Sequence, residues 1–320
     1  MQIPDVNEKW TGKVREVTLG ATASDGGTRQ KTVTVGGETT LPFLHFEGEI
    51  PHPPALALEI QDFYPDDWAP LLLETWGEVL RDPAIWAQRA EEAGADLIAL
   101  TLRGTDEEGN ENTPEHAVET VKKVLEATGL PLIVYGPGQP ELDNRLLEAI
   151  SGATKGERIA MGLCEDKNYQ TIVGAAMADG HLVIASSPID VNLAKQLNIL
   201  IKDMALPLDR VLMDPTTGAL GYGLEYTYSV MERLRLAALQ GDGMTQQPMI
   251  CYAGGESWRQ KESKVGQDVP AEWGDWAKRA TTWEVTTAIT LLHAGADVLV
   301  LRHPESVRLV KEAIARLMAA

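Results

Sequence analysis

An acidic residue followed by a glycine-rich run is the clearest chemical pattern in this sequence. The run reads Asp214-Pro-Thr-Thr-Gly-Ala-Leu-Gly-Tyr-Gly-Leu-Glu-Tyr226, after the apolar stretch Arg210–Met213 and before an amphipathic stretch at about 225–239. In α/β proteins, a loop between a strand and the following helix lies at the carboxyl end of the sheet, where ligands usually bind. The glycines could instead serve only a tight connection. We treat the segment as a candidate binding loop.

A second polar pattern is Ser186-Ser-Pro-Ile-Asp-Val-Asn192, where another apolar stretch gives way to a helical pattern. Asp190 and Asn192 stand two residues apart, so a carboxylate and an amide could read the donor and acceptor edge of a ligand beside Asp214. Asp and Asn are also the ordinary capping residues of a helix start. Both interpretations stay open at this stage.

Other polar residues follow the remaining apolar stretches: Asp62, Thr101, Gly136, Cys164, and Arg302 with His303. We predict that these strand ends form one ligand-binding face. Its members are Ser187, Asp190, Asn192, Asp214, Gly218, Gly221, Tyr222, Gly223 and Arg302.

Eight short apolar stretches, each followed by a helical pattern, must position these residues. The stretches are Ala55–Ile60, Asp96–Leu102, Leu130–Tyr135, Arg158–Leu163, His181–Ala185, Arg210–Met213, Pro248–Tyr252 and Asp297–Leu301. The helical patterns lie near 83–93, 114–128, 140–151, 167–179, 190–204, 225–240, 277–294 and 304–318. The segment Ala93-Gly-Ala-Asp-Leu-Ile-Ala-Leu100 recurs as Ala294-Gly-Ala-Asp-Val-Leu-Val-Leu301, as a repeated βα unit requires. Eight units predict an α/β fold, a (β/α)8 TIM barrel over residues 55–320, with an open doubly wound sheet as the alternative.

Residues 1–54 precede the repeat and form a predicted N-terminal extension. Val14–Leu19 and Lys31–Val35 flank Asp25-Gly-Gly-Thr28, which predicts a β-hairpin. The hairpin could cap the bottom of the barrel or reach a partner. An insertion at about 253–276, rich in tryptophan, is long for a loop after a strand. Such a loop is either functional or a locally packed lid.

Composition excludes several classes of function. The chain has 320 residues, 28 basic and 47 acidic, and a net charge of −19, which disfavours nucleic acid and anionic membranes as partners. Its two cysteines, Cys164 and Cys251, cannot ligate an iron–sulfur cluster by themselves or build a disulfide scaffold. There is no long apolar run, and Met1-Gln-Ile-Pro-Asp5 lacks the regions of a signal peptide. We expect a soluble, cytoplasmic protein.

Known chemistries of barrel enzymes are also poorly matched. Lys195 lies inside a helical pattern rather than at a strand end, where a Schiff-base lysine would stand. The six histidines lack the spacing of zinc ligands, and there is no phosphate-binding loop. Asp179-Gly-His181 begins like a corrinoid-binding motif, but the motif is incomplete and precedes a strand. We therefore interpret His181 as structural.

Over nearly its whole length, the chain resembles the small-subunit family of the corrinoid iron–sulfur protein, the delta subunit of the CO dehydrogenase/acetyl-CoA synthase system. The blocks that carry the resemblance are Leu19-Gly-Ala-Thr22, Gly26-Gly-Thr-Arg29, Leu41-Pro-Phe43, His45-Phe-Glu-Gly-Glu49, Ser187-Pro-Ile-Asp-Val-Asn192, Lys195-Gln-Leu-Asn-Ile-Leu-Ile201, Asp214-Pro through Gly221-Tyr-Gly223, Glu225-Tyr226, Ser229-Val-Met-Glu-Arg233, Ala238-Leu-Gln-Gly-Asp242 and Arg302-His-Pro-Glu305.

The resemblance implies a non-catalytic subunit of a heterodimer. The larger partner subunit would carry the [4Fe–4S] cluster and a cobalamin domain, and the corrinoid would lie between that domain and the top of this barrel. The complex would take a methyl group from methyltetrahydrofolate, through a separate methyltransferase, and deliver it to acetyl-CoA synthase. This reaction belongs to carbon fixation by the reductive acetyl-CoA (Wood–Ljungdahl) pathway of anaerobes. The alternative is a stand-alone pterin-dependent methyltransferase, since such enzymes share the barrel and an Asp/Asn set at the same strand ends.

Overall fold

Eight parallel strands close into a barrel in the computed structural model, which describes residues 7–319. An antiparallel pair precedes it, β1 (Val17–Leu19) with β2 (Val33–Val35). The barrel strands are β3 (Ala55–Gln61), β4 (Leu97–Thr101), β5 (Leu132–Tyr135), β6 (Ala160–Cys164), β7 (Leu182–Ser186), β8 (Val211–Asp214), β9 (Met249–Cys251) and β10 (Ala296–Leu301). Neighbours in the barrel follow chain order, and β10 pairs with β3 to close it. The predicted TIM barrel and its eight strands are confirmed.

Helices alternate with these strands, and all eight predicted helices are present. They are α2 (Pro83–Glu92), α3 (Pro114–Ala127), α4 (Pro140–Ala153), α5 (Tyr169–Asp179), α6 (Val191–Asp203), α7 (Leu224–Leu239), α10 (Trp276–Ala294) and α11 (Pro304–Met318). Three short helices were not predicted: α1 (Pro70–Trp76), α8 (Ala253–Arg259) and α9 (Lys261–Lys264). They span at most two turns, too few for an apolar periodicity to show. Within residues 7–319, no helix is long and apolar enough to span a membrane.

Each barrel strand is buried on both faces, which explains its continuous apolar sequence. On β3, Leu56 and Leu58 belong to the cluster beneath the surrounding helices, whereas Ala55 and Ala57 belong to the cluster inside the barrel. Small inward residues on β3 share that interior with large ones on other strands, such as Ile133. The barrel is therefore a packed core rather than a pore.

The N-terminal extension caps the amino end of the barrel. Val17, Leu19 and Val35 are buried and join the interior cluster. Main-chain hydrogen bonds tie the extension to segments just before β9 and β6, from Arg15 to Gln246 and from Gly20 to Arg158. The sequence left two roles open for the hairpin, to cap the bottom of the barrel or to reach a partner. The structure places it as a cap at the bottom. The division of the chain at residue 54 stays a prediction, and Met1–Asp5 lies outside the described residues.

Buried ion pairs fasten this cap. Arg235 of α7 contacts Glu38 of the extension at 3.1 Å and Asp297 of β10 at 2.8 Å. Arg29 pairs with Glu157 at 3.1 Å. A buried guanidinium with hydrogen-bonded partners fixes geometry because leaving any of these charges unpaired is costly.

The insertion at 253–276 is a packed segment rather than an open loop. The Arg279 guanidinium donates to four main-chain carbonyls of the insertion and stacks on the Trp273 ring at 5.2 Å. The Trp276 indole donates to the carbonyl of Ser263 at 2.7 Å. This arrangement agrees with the locally packed alternative.

Candidate binding face at the barrel mouth

Strand register brings inward-facing residues into a polar layer at the carboxyl end of the barrel. Thr101 is the register partner of Gln61 on one side and of Tyr135 on the other. Farther round the barrel, Ser186 is paired in register with Asp214. Residues at the carboxyl ends of barrel strands are those available to a ligand. We call this layer, with Glu59, Tyr252 and Arg302, the barrel mouth.

Arg302 is the most constrained cation of the barrel mouth. Its Nε donates to Glu59 Oε2 at 2.5 Å, and its Nη2 donates to Glu59 Oε1 at 3.1 Å and to the Tyr252 hydroxyl at 3.2 Å. The carboxylate of Glu59 is fully buried and also accepts from Gln61 Nε2 at 3.1 Å. Burial alone would lower the pKa of Arg302, but the Glu59 carboxylate outweighs burial and raises it. The guanidinium therefore stays charged.

Two aromatic rings flank that guanidinium. Its carbon lies 4.5 Å from the centroid of Trp68 and 5.7 Å from that of Tyr252. The Tyr252 ring lies 5.6 Å from Tyr135 across the mouth. Burial, with the charge of Asp214, raises the pKa of Tyr135, and burial raises that of Tyr252, so both phenols stay protonated and can donate.

Asp214 is a buried carboxyl at the end of β8, which one strand separates from β10. It accepts from the Thr216 backbone at 2.9 Å and from the Ser186 hydroxyl at 3.4 Å. Burial raises its pKa to about 6, with smaller contributions from the charges of Glu165 and Glu256, against those two hydrogen bonds. Its protonated and ionised forms are therefore both accessible within about one pH unit of that value, so it could donate or accept a hydrogen bond toward a ligand.

Ser187 is joined to the start of the glycine loop. Its backbone N–H donates to the carbonyl of Asp214 at 3.1 Å, and its own carbonyl accepts from the Thr216 hydroxyl at 2.6 Å. The structure thus brings together Ser187 and Asp214, two members of the predicted face, whereas the sequence predicted Asp214 beside Asp190 and Asn192.

Asp190 and Asn192 begin α6. Asp190 Oδ1 accepts from the backbone of Asn192 at 2.7 Å and of Leu193 at 3.0 Å, the geometry of an N-cap. The Asn192 side chain is exposed. No described hydrogen bond joins either residue to Asp214. Capping accounts for one oxygen of Asp190, and a role of this pair toward a ligand stays a prediction.

The glycines of the candidate loop are needed by its backbone. A Cβ atom added to Gly218 would lie 2.5 Å from the carbonyl carbon of Gly223, so only glycine permits this approach. Gly221 and Gly223 have φ of 78° and 94°, in the left-handed region that favours glycine. Tight loop geometry therefore accounts for all three, and their contact with a cofactor stays a prediction.

Apolar side chains are exposed beside this loop. Tyr222 and Tyr226 are 53% and 64% exposed, and Leu193 at the start of α6 is 44% exposed. Leu193 lines a groove of about 370 Å³, together with Ser187 and Leu197. Large exposed apolar residues gathered at a strand-end face are typical of a surface that another molecule covers.

The cysteines and histidines do not form a metal site. Cys164 and Cys251 are buried thiols, and burial raises the pKa of Cys164 to about 12. His181 is buried, with hydrogen bonds between its two ring nitrogens and the backbones of Ile159 and Ser151, so its structural interpretation agrees with the geometry. His303 caps α11. Across residues 7–319, no group of three or more potential ligands could hold a metal ion.

Four residues of the barrel mouth are absent from those predicted from the sequence: Glu59, Gln61, Tyr135 and Tyr252. The sequence signal that could have identified them is a polar side chain at an inward-facing position near the end of a strand. Glu59 interrupts an otherwise apolar β3, and the alternation Ala55, Ala57, Glu59 places it inside the barrel.

The sequence profile of a family described as CO dehydrogenase/acetyl-CoA synthase delta subunit matches residues 16–316. The acetyl-CoA decarbonylase/synthase complex subunit delta of Archaeoglobus fulgidus is 38% identical over 313 residues, which cover 95% of this chain and 68% of that protein. The subunit of the same name from Methanopyrus kandleri is 38% identical over 306 residues, covering 95% and 75%.

Solved structures of dihydropteroate synthases share the fold. The enzyme of Xanthomonas albilineans with 4-aminobenzoic acid has a TM-score of 0.57 and 16% identity, over 83% of this chain and 93% of that one. The enzyme of Coxiella burnetii in complex with pteroic acid has a TM-score of 0.56 and 11% identity, over 96% and 100%. At this identity the likeness concerns the fold alone.

Proposed function

The chain belongs to the CO dehydrogenase/acetyl-CoA synthase delta subunit family, that of the corrinoid iron–sulfur protein small subunit, and we propose that its barrel mouth covers a corrinoid held with a partner subunit. The family membership and the exposed aromatic loop beside the mouth carry the proposal. In the acetyl-CoA pathway the chain acts as one subunit of a methyl-carrying complex.

The residues present fit a corrinoid in two respects. A corrin has an apolar face, which the exposed Tyr222 and Tyr226 rings and Leu193 suit. It also has polar amides at its rim, which the donors of Arg302 and the polar layer suit. The bound corrinoid would supply a cobalt centre able to carry a methyl group. This chain's residues would orient the ring and exclude water from it.

This role implies a partner subunit that carries the redox and cobalt centres. We propose that the cobalamin domain and the [4Fe–4S] cluster belong to the larger partner subunit, and that the chain is non-catalytic by itself. Methyltetrahydrofolate methyltransferase and acetyl-CoA synthase would dock transiently on the heterodimer in the cytoplasm. Ser187, Asp190, Asn192, Asp214, Gly218, Gly221, Tyr222, Gly223 and Arg302 remain the proposed contact set.

A stand-alone pterin-dependent methyltransferase is not favoured. The matching family is that of a complex subunit. The barrel mouth is lined by Tyr135, Tyr252 and the Glu59–Arg302 pair, all packed on one another. Its likeness to pterin-binding enzymes extends to the barrel only.

Co-expression with the large subunit tests the proposal. Tyr222→Arg places a charge on the proposed corrin contact, and Phe46→Arg, at a residue 66% exposed in the extension that caps the other end of the barrel, is the matched control. We expect corrinoid absorbance per heterodimer to fall for Tyr222→Arg and to stay unchanged for Phe46→Arg, with both variants folded by circular dichroism. A large subunit that retains corrinoid equally well without this chain would refute the proposal.

A further inference from the structure

Arg302 has a donor that the protein leaves unused. Its Nε and Nη2 are bonded to Glu59 and Tyr252, but Nη1 has no partner among residues 7–319. This nitrogen is not buried, although only 12% of the side chain is exposed. The guanidinium is otherwise enclosed by Trp68 and Tyr252, so the free N–H groups have a fixed direction. A rigid donor of this kind loses little conformational entropy when it binds an acceptor.

The charges around Arg302 determine which acceptor suits it. Glu59 already neutralises the guanidinium through two hydrogen bonds. The Asp67 carboxylate is also near: burial raises its pKa, but the hydrogen bond and charge of Arg103, together with the charge of Arg302, outweigh burial and lower it. Arg103 bonds Asp67 at 2.6 Å and Asp66 at 2.7 Å, so two guanidiniums lie among three carboxylates here. An anionic ligand would therefore meet a net negative charge, in a chain whose overall charge is −19. A neutral carbonyl oxygen meets the donor without that repulsion.

We propose that Arg302 Nη1 donates to the carbonyl oxygen of a neutral carboxamide on the ligand at the barrel mouth. The inference rests on the proposed function, since the rim of a corrin carries primary carboxamides. It adds that Arg302 is a specificity residue, which selects an amide over a carboxylate at one position of the rim. Glu59 is the positioning residue that holds the guanidinium and cancels its charge.

Binding measurements on the heterodimer with its large subunit test this inference. The probes are hydroxocobalamin and its monocarboxylic acid isomers, in which one rim amide is replaced by a carboxylate. We expect the wild-type heterodimer to bind one isomer about tenfold more weakly than hydroxocobalamin, the effect of losing one hydrogen bond to a charged group. The double variant Glu59→Gln, Arg302→Met, which leaves no buried unpaired charge, should lose that preference. Phe46→Ala, at an exposed residue of the extension that caps the other end of the barrel, should keep it.

The outcomes separate the two proposals. If the double variant keeps the preference, or if the wild type binds every monoacid as tightly as hydroxocobalamin, Arg302 does not read an amide. Tighter binding of a monoacid by the wild type would make Arg302 an anion site and also overturn the inference. If the large subunit alone binds hydroxocobalamin as tightly as the heterodimer, the proposed function fails, and the inference with it.

Discussion

Glu59 and Arg302 join the first and last strands of the barrel through an ion pair at its mouth. The two residues are 243 positions apart in sequence, yet the guanidinium makes two hydrogen bonds to a carboxylate that has no exposed surface. The backbone of Arg302 is also bound, since its N–H donates to the buried carboxylate of Glu284 at 2.6 Å. An ion pair thus joins β3 and β10 at the mouth, in addition to the hydrogen bonds between the two strands.

Removing one partner of this pair should destabilise the protein strongly. Arg302→Met leaves Glu59 buried and unpaired, and we expect the free energy of unfolding in urea to fall by about 3–5 kcal/mol. Adding Glu59→Gln should restore most of the lost free energy of unfolding, because no unpaired charge then remains buried. A double variant as unstable as Arg302→Met would show that packing, rather than charge, dominates here.

Asp214 should make stability depend on pH in a defined window. Burial raises its pKa to about 6, so the folded state binds its proton more tightly than the unfolded state. Stability therefore falls as pH rises from about 4 to about 6, and above that range the carboxylate costs about 3 kcal/mol. Asp214→Asn should raise the urea midpoint at pH 7.5 and not at pH 4. An equal change at both pH values would contradict the assignment.

Asp190 offers a way to separate capping from ligand binding. Asp190→Ala removes the N-cap of α6 and should cost about 1 kcal/mol of stability. Asp190→Ser keeps a capping oxygen but removes the carboxylate, so it should unfold at nearly the wild-type urea concentration. If capping is the whole role, the Ser variant also retains corrinoid normally in the heterodimer. Loss of corrinoid from a stable Ser variant would assign the carboxylate to the ligand.

Gly218 and Gly221 should respond differently to alanine. In Gly221→Ala the added Cβ lies at an ordinary contact distance from its neighbours. The alanine must adopt a φ of 78°, however, and this backbone strain costs about 1–2 kcal/mol. Gly218→Ala drives a Cβ to 2.5 Å from the Gly223 carbonyl carbon, so the loop itself must open. We expect faster hydrogen exchange at loop amides such as Leu224, which donates to Ala219, only in the Gly218 variant. Equal exchange in both variants would contradict the close-approach argument.

The N-terminal cap should unfold together with the barrel. Leu19 is fully buried in the interior cluster, so Leu19→Ala should lower the free energy of unfolding by about 2–5 kcal/mol in one cooperative transition. Phe46→Ala, in the same extension but exposed, should change it by less than about 0.5 kcal/mol. Two separate transitions would instead indicate an independent N-terminal domain.

The sequence predicted the barrel because the information is local. Each βα unit carries its own apolar strand and amphipathic helix, and their count determines the topology. The sequence left the bottom cap as one of two possible roles of the hairpin, because nothing local indicates that Val17 and Leu19 enter the barrel interior. That contact depends on residues hundreds of positions away, such as Val298.

The candidate face was predicted only in part, for a similar reason. The connection from Ser187 to Asp214 follows from adjacent strand ends, and the structure contains it. The pairing of Glu59 with Arg302 depends on which strands meet when the barrel closes, which a single segment does not reveal. Asp190 was ambiguous because one carboxylate can cap a helix or bind a ligand, and only geometry shows the cap.

Because β10 closes the barrel against β3, one edge of β3 stays unpaired until β10 has been synthesised. A ribosome adds about 5–20 residues per second. The 243 positions between Glu59 and Arg302 therefore take roughly 12–50 seconds to synthesise, and β3 lacks its β10 neighbour for that time. During that interval the nascent chain exposes an unpaired apolar strand edge, which invites association with other chains. Soluble production of this protein should therefore depend on chaperone supply during translation more than on the stability of the finished fold.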